Sequence, residues 1–157
     1  MPDLSSGDKA PDFDLASDGG GRVKLSDFAG SWLVLYFYPK DDTPGCTTEA
    51  IAFSDTTGAF TDANAKVVGV SKDSVKSHDK FKAKHNLGIA LASDPDGAML
   101  ERYGVWVEKS LYGRKYMGID RATFLIGPDG VIRDVWRKVK VAGHAQAVLA
   151  ALQRDTV

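Results

Sequence analysis

The stretch Trp32-Leu33-Val34-Leu35-Tyr36-Phe37-Tyr38-Pro39-Lys40-Asp41-Asp42-Thr43-Pro44-Gly45-Cys46 decides how the rest of the chain is read. Its first seven residues are apolar or aromatic without alternation, which predicts a strand covered on both faces, as in a parallel sheet. Pro39 ends the strand, because it has no N–H to give a ladder. Lys40 to Gly45 reads as a polar loop, and Cys46-Thr47-Thr48-Glu49-Ala50-Ile51-Ala52-Phe53 as a helix running on toward Phe60. Ligands of open α/β sheets gather outside the carboxyl ends of the strands, where this loop lies. Cys46 falls in the first helical turn, where free N–H groups and a partial positive charge favour thiolate over thiol. A lone cysteine is ordinarily a small buried hydrophobe; the polar loop and the helix start tip the reading toward a reactive thiolate.

Working outward, Lys66-Val67-Val68-Gly69-Val70-Ser71 repeats the buried-strand pattern, residues 74–86 read as a lysine-rich helix, and Ile89 to Leu91 as a short strand. Asp96 is expected to cap a helix carrying Met99, Leu100 and Tyr103 and stopped by Gly104. Toward the N-terminus, two alternating segments around Ser17-Asp18-Gly19-Gly20-Gly21 predict a hairpin, and Ser26 to Gly30 a single helical turn. Toward the C-terminus, Ala122 to Ile126 and Val131 to Trp136 flank Gly127-Pro128-Asp129-Gly130, a second hairpin. A last helix places Ala145, Val148, Leu149 and Leu152 on one face. This order gives an α/β, thioredoxin-like fold: an N-terminal β-hairpin extension and a central mixed sheet flanked by helices. With 157 residues and no repeat or linker, residues 1–157 read as one domain.

Twenty Lys plus Arg against 21 Asp plus Glu leave a net charge of −1, which excludes the basic excess of a dedicated nucleic-acid binder. One cysteine excludes an intrachain disulfide, a CxxC pair and a Cys-rich zinc site. A fold without disulfides fits a reducing cytoplasm. Met1-Pro2-Asp3 lacks the basic and apolar regions of a signal peptide, and no apolar run is long enough to span a bilayer.

Pro39-Lys40-Asp41-Asp42-Thr43-Pro44-Gly45-Cys46 resembles the Pro-x-x-x-Thr-x-x-Cys signature of peroxiredoxins. The longer string from Tyr36 to Thr47 is similar to the bacterioferritin comigratory protein, or peroxiredoxin Q, subfamily. Glu49 and Arg121 match as well, and the resemblance runs from Gly7-Asp8-Lys9-Ala10-Pro11-Asp12-Phe13 to the final helix. It implies a thiol peroxidase that reduces hydrogen peroxide and organic hydroperoxides without a cofactor. Cys46 would be the peroxidatic thiolate, oxidised to a sulfenic acid. Arg121 would hold the thiolate and the charge developing in the transition state. Thr43 would hydrogen-bond peroxide and thiolate, joined by the backbone N–H groups of Gly45 and Cys46. Pro39 would screen the sulfur from water, and Glu49 would orient Arg121 from behind. Many members of the subfamily carry a resolving cysteine five residues after the first, where this chain has Ile51. Others carry it on the following helix, where it has lysines such as Lys82 and Lys84. The resemblance is therefore to a one-cysteine variant, a monomer or weak homodimer recycled by an external thiol (glutathione with glutaredoxin, or thioredoxin).

Taken singly, each residue has a plainer reading. Thr43 suits a turn before Pro44, Glu49 a first-turn acid, Arg121 a solvated strand end and Pro39 a strand terminator. Their joint occurrence around one cysteine raises them above it. A cysteine hydrolase with His78, His85 or His144 as base lacks a local signature, and a dithiol reductase lacks its second cysteine, Glu49 standing there. A redox sensor or holdase using the same sulfenic acid is the non-enzymatic alternative. His78 and His85 are expected at the surface rather than on a metal, and Asp94-Pro95-Asp96-Gly97 reads as a turn with a helix cap. Lys72, Lys76, Lys80, Lys82 and Lys84 read as a solvated face or a docking surface for an acidic reductant. Trp106, Tyr112 and Tyr116 are left as a hydrophobic rim near the site or ordinary aromatics.

Overall fold

In the computed structural model, which describes residues 4–156, the chain runs β1 (Asp14–Ser17), β2 (Arg22–Lys24), β3 (Trp32–Phe37), α1 (Pro44–Asp55), α2 (Thr57–Asp62), β4 (Ala65–Ser71) and α3 (Val75–His85). It continues through β5 (Ala90–Ser93), α4 (Ala98–Arg102), β6 (Trp106–Leu111), β7 (Arg114–Ile119), β8 (Ala122–Ile126), β9 (Ile132–Trp136) and α5 (His144–Thr156). The reading of Met1 to Asp3 lies outside the described residues. Seven strands form one mixed sheet in the order β2-β1-β5-β4-β3-β8-β9, while β6 and β7 pair separately. The three inner strands β3, β4 and β5 are parallel, and β1 and β8 join them antiparallel. Helical crossovers supply the parallel pairs.

All six residues of β3 are buried, as its unbroken apolar run requires. Side chains alternate across a strand. Leu33, Leu35 and Phe37 therefore enter one core, under α4 and the N-terminal hairpin. Trp32, Val34 and Tyr36 enter the other, together with Cys46, Phe53, Phe60, Phe81 and Leu152 from the helices. Burying each large side chain contributes about 1.5–3 kcal/mol. In the parallel register Tyr36 lies opposite Gly69, where an added Cβ would fall 2.8 Å from the tyrosine hydroxyl and ring. Gly69 thus makes room for the ring, which stacks on Phe53 at 4.7 Å.

The thioredoxin-like architecture and both expected hairpins are present, and several details differ. The helix begins at Pro44 rather than Cys46, a position suited to a residue without an N–H. It is interrupted at Thr56, whose hydroxyl donates back to the carbonyls of Ala52 and Phe53. The N-cap of α4 is Gly97, at φ 77°; Asp96 accepts from Ala98 N–H, and Asp94 reaches Leu100 N–H at 3.0 Å. The segment with Trp106, Tyr112 and Tyr116 is a hairpin, turning through Tyr112 and Gly113 at φ 52° and 78°.

Candidate active site

Antiparallel pairing of β8 with β3 sets Ala122 beside Phe37, so Arg121, just before β8, arrives at the carboxyl edge of β3. The backbone of Arg121 is held there by Val139 N–H, which donates to its carbonyl. From the same edge of β3 the loop turns into α1, whose buried stripe is Cys46, Glu49, Ala50 and Phe53. That i, i+3, i+4, i+7 spacing is one helix face. It carries the thiol and the carboxylate toward the guanidinium from 75 and 72 residues away.

Arg121 Nη2 lies 3.4 Å from Cys46 Sγ, and Nη1 donates to Glu49 Oε1 at 2.7 Å. Cys46 is 2 % exposed and Glu49 1 %. Gly45 permits the approach: a Cβ there would stand 3.3 Å from Arg121 Nη2. Burial pushes the Glu49 carboxyl up to about 7, although the charge and hydrogen bond of Arg121 pull it down. Burial disfavours the Arg121 charge, yet Glu49 and Cys46 raise its pKa and keep it cationic. Glu49 Oε2 has no hydrogen-bond partner, and neither has the buried hydroxyl of Tyr36.

Thr43 is the N-cap residue of α1, but its side chain does not cap; its hydroxyl donates to Lys40 O at 2.8 Å. Its one proton is thereby used and its lone pairs remain as acceptors. The amides of Gly45 and Cys46, in the first turn, have no intrahelical carbonyl to bond. Pro39 is exposed at the end of β3.

No histidine bonds Cys46 among the described residues. His144 Nε2 lies 2.8 Å from Thr123 Oγ1, and burial with the charge of Arg121 lowers its pKa to about 4. His85 bonds the exposed Asp42. His78, expected at the surface, is fully buried, with Nδ1 2.8 Å from Asp41 Oδ2 and Nε2 2.9 Å from Ala92 O. The sequence reading missed Asp41 and His78 as structural groups of the loop. The available signal was spacing: His78 lies three residues from both Val75 and Phe81, on the one apolar stripe of α3. No group of three or more His, Cys, Asp or Glu among the described residues is arranged to hold a metal. No described helix is long and apolar enough to cross a membrane. Of the lysines, Lys82 pairs with Asp18 and Lys84 with Asp42, and Lys72 lies before α3, over the ring of Trp106.

Residues 6–135 match the AhpC/TSA family model. The chain is 53% identical over 142 residues to peroxiredoxin Bcp of Xanthomonas campestris, covering 90% of this chain and 89% of that one. A solved structure of PrxQ from Xylella fastidiosa superposes with a TM-score of 0.94 at 43% identity, covering both chains fully. Another, of the bacterioferritin comigratory protein of Xanthomonas campestris, concerns that protein's alkyl peroxide reduction activity. It matches with a TM-score of 0.89 at 50% identity, over 92% of each chain.

Proposed function

The chain belongs to the AhpC/TSA family as a Bcp-type peroxiredoxin, a thiol peroxidase, and from that premise we propose that Cys46 is its peroxidatic thiol. The observation that carries this is Arg121 Nη2 at 3.4 Å from the only sulfhydryl of the chain. Hydrogen peroxide and small organic hydroperoxides are the substrates, in keeping with the activity studied in the Xanthomonas relative. The Cys46 thiolate attacks one peroxide oxygen in line. An S–O bond forms, the O–O bond breaks, and the departing hydroxide or alkoxide takes a proton to leave as water or alcohol. Sulfur is oxidised to the sulfenic acid and peroxide is reduced. Arg121 and the free amides of Gly45 and Cys46 are donors already aimed where negative charge develops. Thr43 accepts the peroxide O–H through its free lone pairs, while its own proton stays on Lys40 O. Glu49 holds the guanidinium from behind, and Pro39, exposed just past β3, is assigned the outer screen that limits water at the buried sulfur.

A buried thiol with no cysteine partner implies an external reductant. One thiol attacks the sulfenic acid, giving a mixed disulfide and water, and a second releases reduced Cys46 with the reductant as disulfide. At 2 % exposure the sulfur admits a peroxide more readily than a thiol, so the first turn around Pro44 and Gly45 must loosen for recycling. The test is steady-state peroxide consumption with glutathione plus glutaredoxin, with thioredoxin and with small dithiols, for wild type and Cys46→Ser. Turnover in wild type and none in the variant supports the assignment. Activity persisting in Cys46→Ser overturns it, and a single oxidation that no reductant reverses favours a sensor.

A further inference from the structure

We propose that His78 is a positioning residue for the loop that carries the reacting thiol, acting as an imidazolium clamped between the Asp41 carboxylate of that loop and the Ala92 carbonyl of β5. This rests on the assignment of Cys46. A carbonyl oxygen can only accept, so Nε2 at 2.9 Å from Ala92 O carries a proton. Nδ1 lies 2.8 Å from a carboxylate oxygen that already accepts the Ser77 hydroxyl at 2.8 Å. The other oxygen of Asp41 accepts the Tyr38 hydroxyl at 2.6 Å. A carboxyl ringed by donors is ionised, and Nδ1 is then protonated too. With both nitrogens donating, the ring is a cation at 0% exposure.

The clamp acts on the loop because Asp41 precedes Thr43 by two residues and Cys46 by five. Its side chain is fixed by the three donors. Its N–H donates to Asp73 Oδ2 at 2.8 Å, and Asp73 is held in turn by Ser71 at 2.6 Å. The next residue, Asp42, stands at φ 59°, a conformation that persists only when its surroundings impose it. Lys84 and His85, from the same helix as His78, bond its carboxylate.

The groups facing His78 come from four elements besides its own helix. They are Asp41 of the loop, Tyr38 after β3 (3.4 Å from Nδ1), Asp73 after β4, and the Ala92 carbonyl of β5. Ser77 is the neighbour on α3 itself. Burial alone would expel the proton, but Asp41, Ala92 and Asp73 together raise the ring above its ordinary value of 6.5. Tyr38 stays protonated far above neutrality and does not titrate in competition. The clamp is therefore complete below pH 6.5 and is lost as pH rises through the raised value, when one of the two ring hydrogen bonds must break.

The test has two arms. Nitrogen-15 NMR of the imidazoles in wild type at pH 6.5 should show His78 doubly protonated; a neutral tautomer overturns the proposal without any variant. The second arm is the second-order rate of Cys46 oxidation by hydrogen peroxide from pH 5 to 9, in wild type and His78→Asn. The wild-type rate should fall on the alkaline side. The variant, which keeps a donor toward Asp41 but cannot ionise, should be slower by about tenfold at pH 6 and lack that fall. A folded variant with the wild-type rate and profile overturns the proposal. If His78→Asn does not fold, the NMR arm decides. Wild type that does not oxidise at Cys46 would instead remove the site assignment on which the clamp rests.

Discussion

Two buried ionic clusters flank the same loop and differ in how completely they are bonded. Around Asp41 and His78, both carboxylate oxygens and both ring nitrogens have partners, Oδ2 taking two of the three side-chain donors, and the cluster ties the loop to α3 and β5. Around Arg121, the bonding is incomplete. Glu49 Oε2 has no partner, the first-turn amides have no carbonyl, and the guanidinium meets a soft sulfur at 3.4 Å. A buried polar group left unpaired costs about 1–3 kcal/mol. On the proposed assignment, the open amides and the Arg121 guanidinium are the donors left for a reaction's charge, and the Asp41 cluster is the one that holds the loop in register. The group proposed to react is then distinct from the group proposed to fix its geometry.

The largest break in this contrast should come from Arg121→Ala. It removes the donor on the sulfur and leaves Glu49 buried without a cation. Stopped-flow oxidation by hydrogen peroxide should slow by about 100-fold, with a loss of stability on the order of 3 kcal/mol. A rate within twofold of wild type would take Arg121 out of the site. Thr43→Val deletes the acceptor and the bond to Lys40 O, and should slow the same reaction about tenfold, whereas Thr43→Ser should stay near wild type. Equal rates for both variants would reduce Thr43 to a turn residue.

Glu49 sharpens the comparison through pH. Its folded carboxyl takes up a proton at about 7 against an ordinary 4.5, so this group favours the fold fully below pH 4.5. That contribution is lost as pH rises to 7, by on the order of 3 kcal/mol. Urea unfolding of Glu49→Gln between pH 4.5 and 7.5 should lack this part of the slope; an unchanged slope would mean Glu49 is ionised throughout. The smallest effect belongs to Lys84→Ala. Its pair with Asp42 is 61% and 42% exposed and screened by solvent, so the urea midpoint should hardly move and the peroxide rate should change by less than about twofold. A large loss would transfer part of the loop's anchoring from Asp41 to the surface.

The open cluster was more legible in the sequence than the closed one. The strand, loop and cysteine lie in one contiguous run, with Glu49 three residues on, and Arg121 was reached through the resemblance before a recognisable strand. Asp41 and His78 are 37 residues apart and join only when β3, β4 and β5 align. The lysines around His78 made its helix look wholly solvated, although the apolar stripe of Val75, His78 and Phe81 was present. The β6–β7 hairpin was missed for a local reason. Its turn uses Tyr112 at positive φ, where Asn or Asp before glycine is the usual signal. The helix break at Thr56 was hidden because a threonine bonding back to its own helix leaves no mark in the hydrophobic pattern.

Intact-protein mass spectrometry after one equivalent of hydrogen peroxide tests the assignment of Cys46 most directly. The expected product is a monomer carrying one added oxygen, mapped to Cys46 by peptide analysis, that glutathione converts to a single mixed disulfide at the same residue. Oxygen recovered mainly on methionine, with Cys46 still reduced while peroxide is consumed, would contradict it.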